Sequence, residues 1–419
     1  MDDRASGNLR ADRSQDLQGA HFEEIHIEGN QIGRFRGKFR QGFFAGGGIN
    51  DHGRTEAANE QTDEKLLAML LSIVITTYNR SNYLAQLLGQ LSREWEDDRW
   101  AIEVLVADNA STDDTREVVE SARRDGLKVN YICRESNIKF PGNLRNGLSE
   151  VSGLYVWPLC DDDLLESGAL RSVIESIEHR QEVPIFILNR NIYDIRMQRI
   201  VRKNLLEANG TFAADAREII EKWTYGLLTA SCVVIKREYG LAGSRRPEFE
   251  GYFCETLVLG CEALAHGKAI VLADVYVRYR EGNAGAWNIL WPVISLYCIP
   301  YVIDKADIKM VYPGLLRVFL ENRTHDLGGE VCSVASTRKE EIRRLIDRKL
   351  LKEWYSFKPS FQWWYFFAFS LPKIVPRIYV HWRNICYVVG SYISSGGRVI
   401  NIPKLLVKKY LRMRSKEKV

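Results

Sequence analysis

The chain has 419 residues, 46% of them apolar and 27% charged. At roughly 100–200 residues per domain this length holds two or three domains, and the balance excludes a wholly disordered chain, a collagen and a multi-span membrane protein. The formal net charge of +4 also excludes a nucleic-acid binder with basic charge throughout. That sum hides an asymmetry. Residues 338–419 hold 19 Lys and Arg against 5 Asp and Glu, so a basic tail of net +14 follows an acidic body of net −10. Eight scattered cysteines form no CxxC pair and no metal-ligand spacing with histidine, which reads as reduced thiols in a cytosolic compartment.

Residues 1–68 are rich in Gly, Asp, Arg, Gln and Asn and hold no lasting apolar period. Such a composition cannot bury enough surface to offset its ordering entropy, so disorder is expected. The first thirty residues lack the apolar core of a signal peptide, and Met69, just before the first strand, is a candidate translation start. The pattern then changes. Leu71–Thr76 is a short, β-branched apolar run, the signature of a buried strand. Ser81 is placed to cap a helix carrying Leu84, Leu87, Leu88 and Leu91. Strands are expected at Ile102–Ala107, Val129–Ile132, Leu154–Leu159 and Pro184–Leu188, with helices between them. Asp113 and Asp114 favour one helix start, Pro141 sits in the first turn of another, and Ser167 caps a third. Strands alternating with helices at this spacing imply βαβ units and a doubly wound, mostly parallel sheet with helices on both faces. Further strands are expected at Ala230–Ile235 and Ala269–Val277, with a helix at Thr256–His266. Domain boundaries are expected at 1–68, 69–282 and 283–419, the last helical, aromatic and basic.

In an open α/β sheet, ligands bind at the carboxyl ends of the strands. Thr76-Thr77-Tyr78-Asn79-Arg80 follows the first strand, Asp108-Asn109-Ala110-Ser111-Thr112-Asp113-Asp114-Thr115 the second, and Cys160-Asp161-Asp162-Asp163 the fourth. One edge thus gathers hydroxyls, an aromatic ring, an arginine and several carboxylates, a site for a polar, charged ligand. Three adjacent carboxylates repel one another without a cation, and hard oxygen ligands suit Mg²⁺ or Mn²⁺. A solvated acidic turn is the alternative reading of the triplet alone.

These segments, with Asn137, Gly142, Asn143 and Asn146 between them, resemble the family-2 glycosyltransferases of the GT-A fold. The resemblance is strong over about a quarter of the chain. It implies that Thr76 and Tyr78 line a nucleobase pocket, that Asp108 accepts a hydrogen bond from the base, and that Asp161 contacts the ribose. Arg80, Asn109, Asn137 and Asn143 join them on the donor side. Asp162 and Asp163 hold a divalent metal, Mn²⁺ or Mg²⁺, on the diphosphate. The implied reaction is inverting transfer of one sugar from a nucleoside-diphosphate sugar to an acceptor hydroxyl. Glu255 is the candidate general base, with Glu250 and Glu262 as fallbacks. The family often has a Glu-Asp pair here, whereas this chain has Glu255-Thr256, so a slip of one residue would leave Thr256 in the base position. A glycine common after Asn137 is Lys139 here.

The run Trp287–Ile303, interrupted by Pro292 and Pro300, is expected to pack as a helix. Phe361–Leu371 is aromatic, too short to span a bilayer, and suited to the headgroup interface. With Lys404, Lys408, Lys409, Arg412, Arg414, Lys416 and Lys418 it implies an anionic membrane partner. The expected location is the inner face of the cell membrane, and the expected acceptor a lipid-linked glycan. A nucleotidyltransferase is disfavoured because Thr76–Arg80 contains no glycine for a triphosphate loop. A non-catalytic nucleotide-sugar-binding scaffold is the remaining alternative.

Overall fold

The computed structural model describes residues 69–380 apart from 96–100, 205, 207–209, 251–253, 282–290, 324–326, 337–344, 371–375 and 377–378. The expected disorder of residues 1–68 and the basic residues from Lys404 onward lie outside the described residues.

The first half alternates as its periodicity requires. The elements are β1 (Leu71–Thr77), α1 (Ser81–Glu94), β2 (Ile102–Asp108), α2 (Thr115–Arg124), β3 (Val129–Cys133), α3 (Lys139–Ser149) and β4 (Tyr155–Cys160). Then come β5 (Leu164–Leu165), α4 (Ala169–Glu178), β6 (Ile185–Tyr193), β7 (Ile200–Arg202), β8 (Phe212–Ala214), α5 (Ala216–Lys222), α6 (Thr224–Leu227) and β9 (Val233–Lys236). α7 (Arg237–Ser244), α8 (Glu255–Leu264) and β10 (Ala269–Arg280) complete the α/β part. The strands order as β3-β2-β1-β4-β9-β6-β10-β5, with β7 on β6 and β8 on β10. The pairs β1–β2, β2–β3, β1–β4 and β6–β10 are parallel, while β9 runs antiparallel to both β4 and β6.

Two apolar cores cover the two faces. Successive β1 side chains alternate between them, as a strand's period of two demands. Ile73 and Ile75 pack with Leu84, Leu87 and Leu91 of α1 and Val119 of α2. Val74 faces the opposite way, toward Leu144 and Leu148 of α3 and Leu257 of α8. α3 lies close on the sheet: a Cβ at Gly147 would sit 2.7 Å from Val74 Cγ1. The second core continues without a break into the C-terminal helices through Leu296, Tyr297, Leu351, Tyr355 and Phe361. A π-helical turn at Ile294–Cys298 leads into the helix Ile299–Lys305, both largely buried, as the run before Ile303 predicted. Among the described residues no helix is long and apolar enough to cross a membrane. All seven described cysteines are free thiols.

Two expected caps differ. Arg80, not Ser81, is the N-cap residue of α1, and the Ser81 N–H is instead taken by Asp113 Oδ2 at 2.9 Å. Gly168, at φ 76°, occupies the N-cap of α4 in place of Ser167. In both cases a tertiary contact or a left-handed turn overrides the local capping preference.

Candidate active site at the carboxyl edge of the sheet

Parallel register brings the three predicted loops together. Thr77 pairs with Asp108 and Thr76 with Cys160, so β1, β2 and β4 end at one level. The loops that leave them are tied to each other. Asn79, in the left-handed region at φ 52°, accepts from Thr112 N at 2.8 Å, while its own N–H donates to Ser111 Oγ at 2.9 Å. Asp108 accepts from Ser111 N at 2.9 Å on one oxygen and from the Tyr131 hydroxyl at 2.7 Å on the other. Burial, and then that bond to Asp108, raise the Tyr131 hydroxyl's pKa, so it stays a donor. Tyr78 is 44% exposed at the mouth of this edge; Thr76 lies half-buried beside it.

The three asparagines do not stand open in the same way. Asn109 Nδ2 donates to Asn137 Oδ1 at 2.9 Å, and Asn109 Oδ1 accepts from Ile138 N at 2.9 Å. Asn137 Oδ1 also accepts from Lys139 N. Asn143, 1% exposed, donates to Ala107 O at 2.7 Å and accepts from Arg134 Nε at 2.8 Å. Both ends of the Asn143 amide are engaged inside the protein. It fixes α3 against the end of β2. Lys139 sits at φ 67°, a backbone conformation that favours glycine, which accounts for the glycine expected at this position.

Asp161 is 2% exposed and accepts from Arg80 Nη1 at 3.0 Å, while its buried Oδ2 has no hydrogen-bond partner. Burial, reinforced by the charge of Asp162 and opposed by Arg80, pushes its pKa up to about 6. Asp163, 1% exposed, accepts from Ser231 Oγ at 2.7 Å and from Arg280 N at 3.0 Å. Burial first, and then the charge of Asp162, push it up to about 7. Asp162 is the most open of the three, its side chain 15% exposed, with Arg80 Nη1 3.4 Å from its Oδ2. Cys160, Asp162 and Asp163 each offer a ligand atom within 4.8 Å of the others. A buried oxygen without a donor, and carboxylates whose charged forms are disfavoured, fit a cation; the hard oxygens suit a divalent metal.

Arg280 holds this turn from beneath. Its Nε donates to Asp162 O at 2.7 Å, Nη1 to Ile195 O at 2.8 Å and Nη2 to Gln86 Oε1 at 3.0 Å, over the ring of Tyr83. Sequence reasoning missed Arg280, Ser231 and Tyr131. The rule that ligands gather at strand ends reaches Arg280 once β10 is extended three residues beyond its predicted end at Val277. No local pattern marks Ser231 or Tyr131.

The general-base expectation for Glu255 does not fit the geometry. Glu255 Oε1 accepts from Arg145 Nε at 2.8 Å and Oε2 from Arg145 Nη2 at 2.9 Å, and the side chain is 0% exposed. Both oxygens are thus held by one guanidinium, whereas a general base must reach the acceptor hydroxyl. Thr256, next in the chain, is buried and cannot take a proton. Of the fallbacks, Glu262 pairs with Arg246 at 3.1 Å and is largely buried; Glu250 is exposed beside residues 251–253, which lie outside the described residues.

The family model for Glycosyl transferase family 2 matches residues 72–239. The GalNAc(5)-diNAcBac-PP-undecaprenol beta-1,3-glucosyltransferase of Campylobacter jejuni is 34% identical over 106 residues, covering 25% of this chain and 33% of its own length. Abequosyltransferase RfbV of Salmonella typhimurium is 37% identical over 105 residues, 24% of this chain and 31% of its own. The chain therefore spans about a third of the length of these curated relatives. The structure of Staphylococcus aureus TarS residues 1–349 with UDP-GlcNAc superimposes with a TM-score of 0.52 at 17% identity, covering 72% of this chain and 91% of that one. That likeness shows the fold. Sheet order, the placement of the three motif loops and the family match converge: residues 72–239 match family-2 glycosyltransferases, on a sheet of the GT-A fold.

Proposed function

We propose that the chain moves one sugar from a nucleoside-diphosphate sugar to an acceptor hydroxyl, with inversion at the anomeric carbon. The observation that carries this reading is the juxtaposition, at the ends of β1, β2 and β4, of the exposed Tyr78 ring, the Asp108 carboxylate and the acidic turn Asp161–Asp163. Tyr78 stacks on the base, which Asp108 reads through an N–H, and uracil supplies one. The UDP-GlcNAc in complex with TarS supports a uridine nucleotide. Asp161 faces the ribose. Asp162 and Asp163 hold a divalent metal, which when bound supplies Lewis-acid stabilisation of the departing diphosphate. Arg280 and Ser231 fix the two carboxylates for that task. The sugar leaves through an oxocarbenium-like state, so the site must stabilise negative charge on the leaving group more than on the bound donor.

The acceptor is a lipid-linked glycan in cell-surface polysaccharide assembly. The undecaprenol-linked glycan for which the Campylobacter relative is named supports this. The helix Pro359–Ser370 supports a peripheral membrane location: Phe361 and Ala368 are buried in the core while Trp363 and Phe366 are 58% and 67% exposed. Three residues apart, these two rings share an outward face, suited to the headgroup region.

The clasp on Glu255 and the threonine after it favour a second reading, in which the domain binds a nucleotide sugar without turning it over. One experiment separates the two. The purified full chain is incubated with a panel of nucleotide sugars and Mn²⁺, and slow hydrolysis is scored. Release of UDP from one donor by wild type, lost roughly a thousandfold in Asp162→Asn, is the expected result. Binding of UDP without release from any donor would select the scaffold reading. Equal turnover by Asp162→Asn would remove the metal from the mechanism.

A further inference from the structure

Arg80 stands in an unusual place for a residue expected to contact the donor. It is the N-cap of α1, immediately after the left-handed turn at Asn79. Its Nη1 lies 3.0 Å from Asp161 Oδ1 and 3.4 Å from Asp162 Oδ2. One guanidinium thus pairs with two of the three carboxylates and offsets part of their charge. The third, Asp163, accepts hydrogen bonds from neutral donors, the Ser231 hydroxyl and the Arg280 backbone N–H, with the charge of Arg190 acting on it without a direct bond.

A divalent metal, if held by Asp162 and Asp163, would therefore share Asp162 with the positive charge of Arg80. Two cations on one carboxylate repel each other strongly at such distances. Their simultaneous presence is costly unless a ligand with several negative charges enters. Arg80 is well placed to yield. Its side chain is 37% exposed, on a long and flexible stem, whereas Asp161 is 2% exposed and fixed at the strand end. When Arg80 leaves, Asp161 keeps a buried Oδ2 without a partner and an Oδ1 newly open to a ligand. A guanidinium released at the mouth of the site is matched in geometry to phosphate oxygens.

We infer that Arg80 is a built-in counter-cation of the acidic turn: it exchanges with the divalent metal and then pairs with the diphosphate of the donor. This rests on the metal-dependent reading above and adds a competition to it. In the absence of donor Arg80 opposes metal binding. In its presence Arg80 strengthens donor binding. The two effects have opposite signs in one residue, which a merely structural arginine or a simple donor contact would not produce.

The test uses the full chain at pH 8, as wild type, Arg80→Gln and Arg80→Lys. Mn²⁺ binding without nucleotide is read by electron paramagnetic resonance, and UDP binding at saturating Mn²⁺ by calorimetry. Arg80→Gln should bind Mn²⁺ about tenfold more tightly than wild type and UDP about tenfold more weakly. Arg80→Lys, which keeps the charge, should stay within about twofold of wild type for Mn²⁺. Wild type that binds Mn²⁺ while Arg80→Gln binds it equally or less well would overturn the exchange and leave the metal reading standing. Unchanged UDP affinity in Arg80→Gln would overturn the pairing with diphosphate. Absence of Mn²⁺ binding in every protein, wild type included, would overturn the metal reading and the exchange together.

Discussion

The proposed donor side and the proposed acceptor side of this domain are built by different means. On the donor side the groups proposed to meet the ligand sit at the ends of β1, β2 and β4 or in the short loops that follow, and parallel pairing delivers them to one edge. On the acceptor side the key contact joins Arg145 of α3 to Glu255 of α8, 110 residues apart. A local motif announces its chemistry in the sequence. A long-range pair does not, because which partner occupies a carboxylate depends on how two distant helices pack. The same glutamate reads as a base from its neighbours in sequence and as a clasp from its neighbours in space.

The largest effect that could break this contrast is at Glu255. Glu255→Gln leaves Arg145 without its buried counter-charge, so stability should fall by about 3 kcal/mol, read as a lower denaturation midpoint. Activity should follow the folded fraction. A collapse of kcat in a protein of unchanged stability would instead make Glu255 the base.

On the donor side the comparable test is Asp163→Asn, which removes the charge and leaves Oδ1 to accept from Arg280 N while the amide NH2 can donate to Ser231 Oγ. The pKa of Asp163 is raised on folding to about 7 from an ordinary 3.8. Between those values the folded protein keeps a proton that the unfolded chain has lost, so the metal-free wild type is progressively destabilised as pH rises. Asp163→Asn should therefore gain stability relative to wild type from about pH 4 to pH 7, with no further gain above. Thermal unfolding of both proteins in EDTA across that range gives the answer; a gap that narrows with rising pH would contradict the burial argument.

Smaller effects sharpen the picture of the loop lattice. Tyr131→Phe removes the donor that orients Asp108 and should weaken UDP binding roughly threefold to tenfold, with little change in stability. Equal UDP affinity would mean that Ser111 alone sets the carboxylate. Lys139→Gly relieves a left-handed backbone at φ 67° and should raise stability by up to about 1 kcal/mol, the relief of strain being partly offset by glycine's greater unfolded entropy.

Much of the donor half was legible in the sequence because its signals are local. The strands at Leu71, Ile102, Val129 and Tyr155 begin within one residue of their predicted starts, since buried β-branched runs leave little choice of conformation. The acidic turn and Tyr78 fall where the strand-end rule puts them. Asn109 and Asn143 lie on the expected edge, and the contacts they make there, to Asn137, Ile138, Ala107 and Arg134, were not legible: a sequence cannot say which loop an amide meets. β6 runs five residues past its predicted end because antiparallel β7, the return strand of a hairpin, and parallel β10 extend its ladder, and β10 is far from it in sequence. Arg280, which carries Asp162 O, Ile195 O and Gln86 at once, is the clearest loss, since its role exists only where four elements meet.

The proposed function requires the edge formed by β1, β2 and β4 to bind a nucleoside diphosphate through a metal held on the acidic turn. Calorimetric titration of UDP into the full chain, once with Mn²⁺ and once with EDTA, tests it most directly. Binding at least about tenfold tighter with Mn²⁺ is the predicted result; equal affinity in the two titrations would contradict the account.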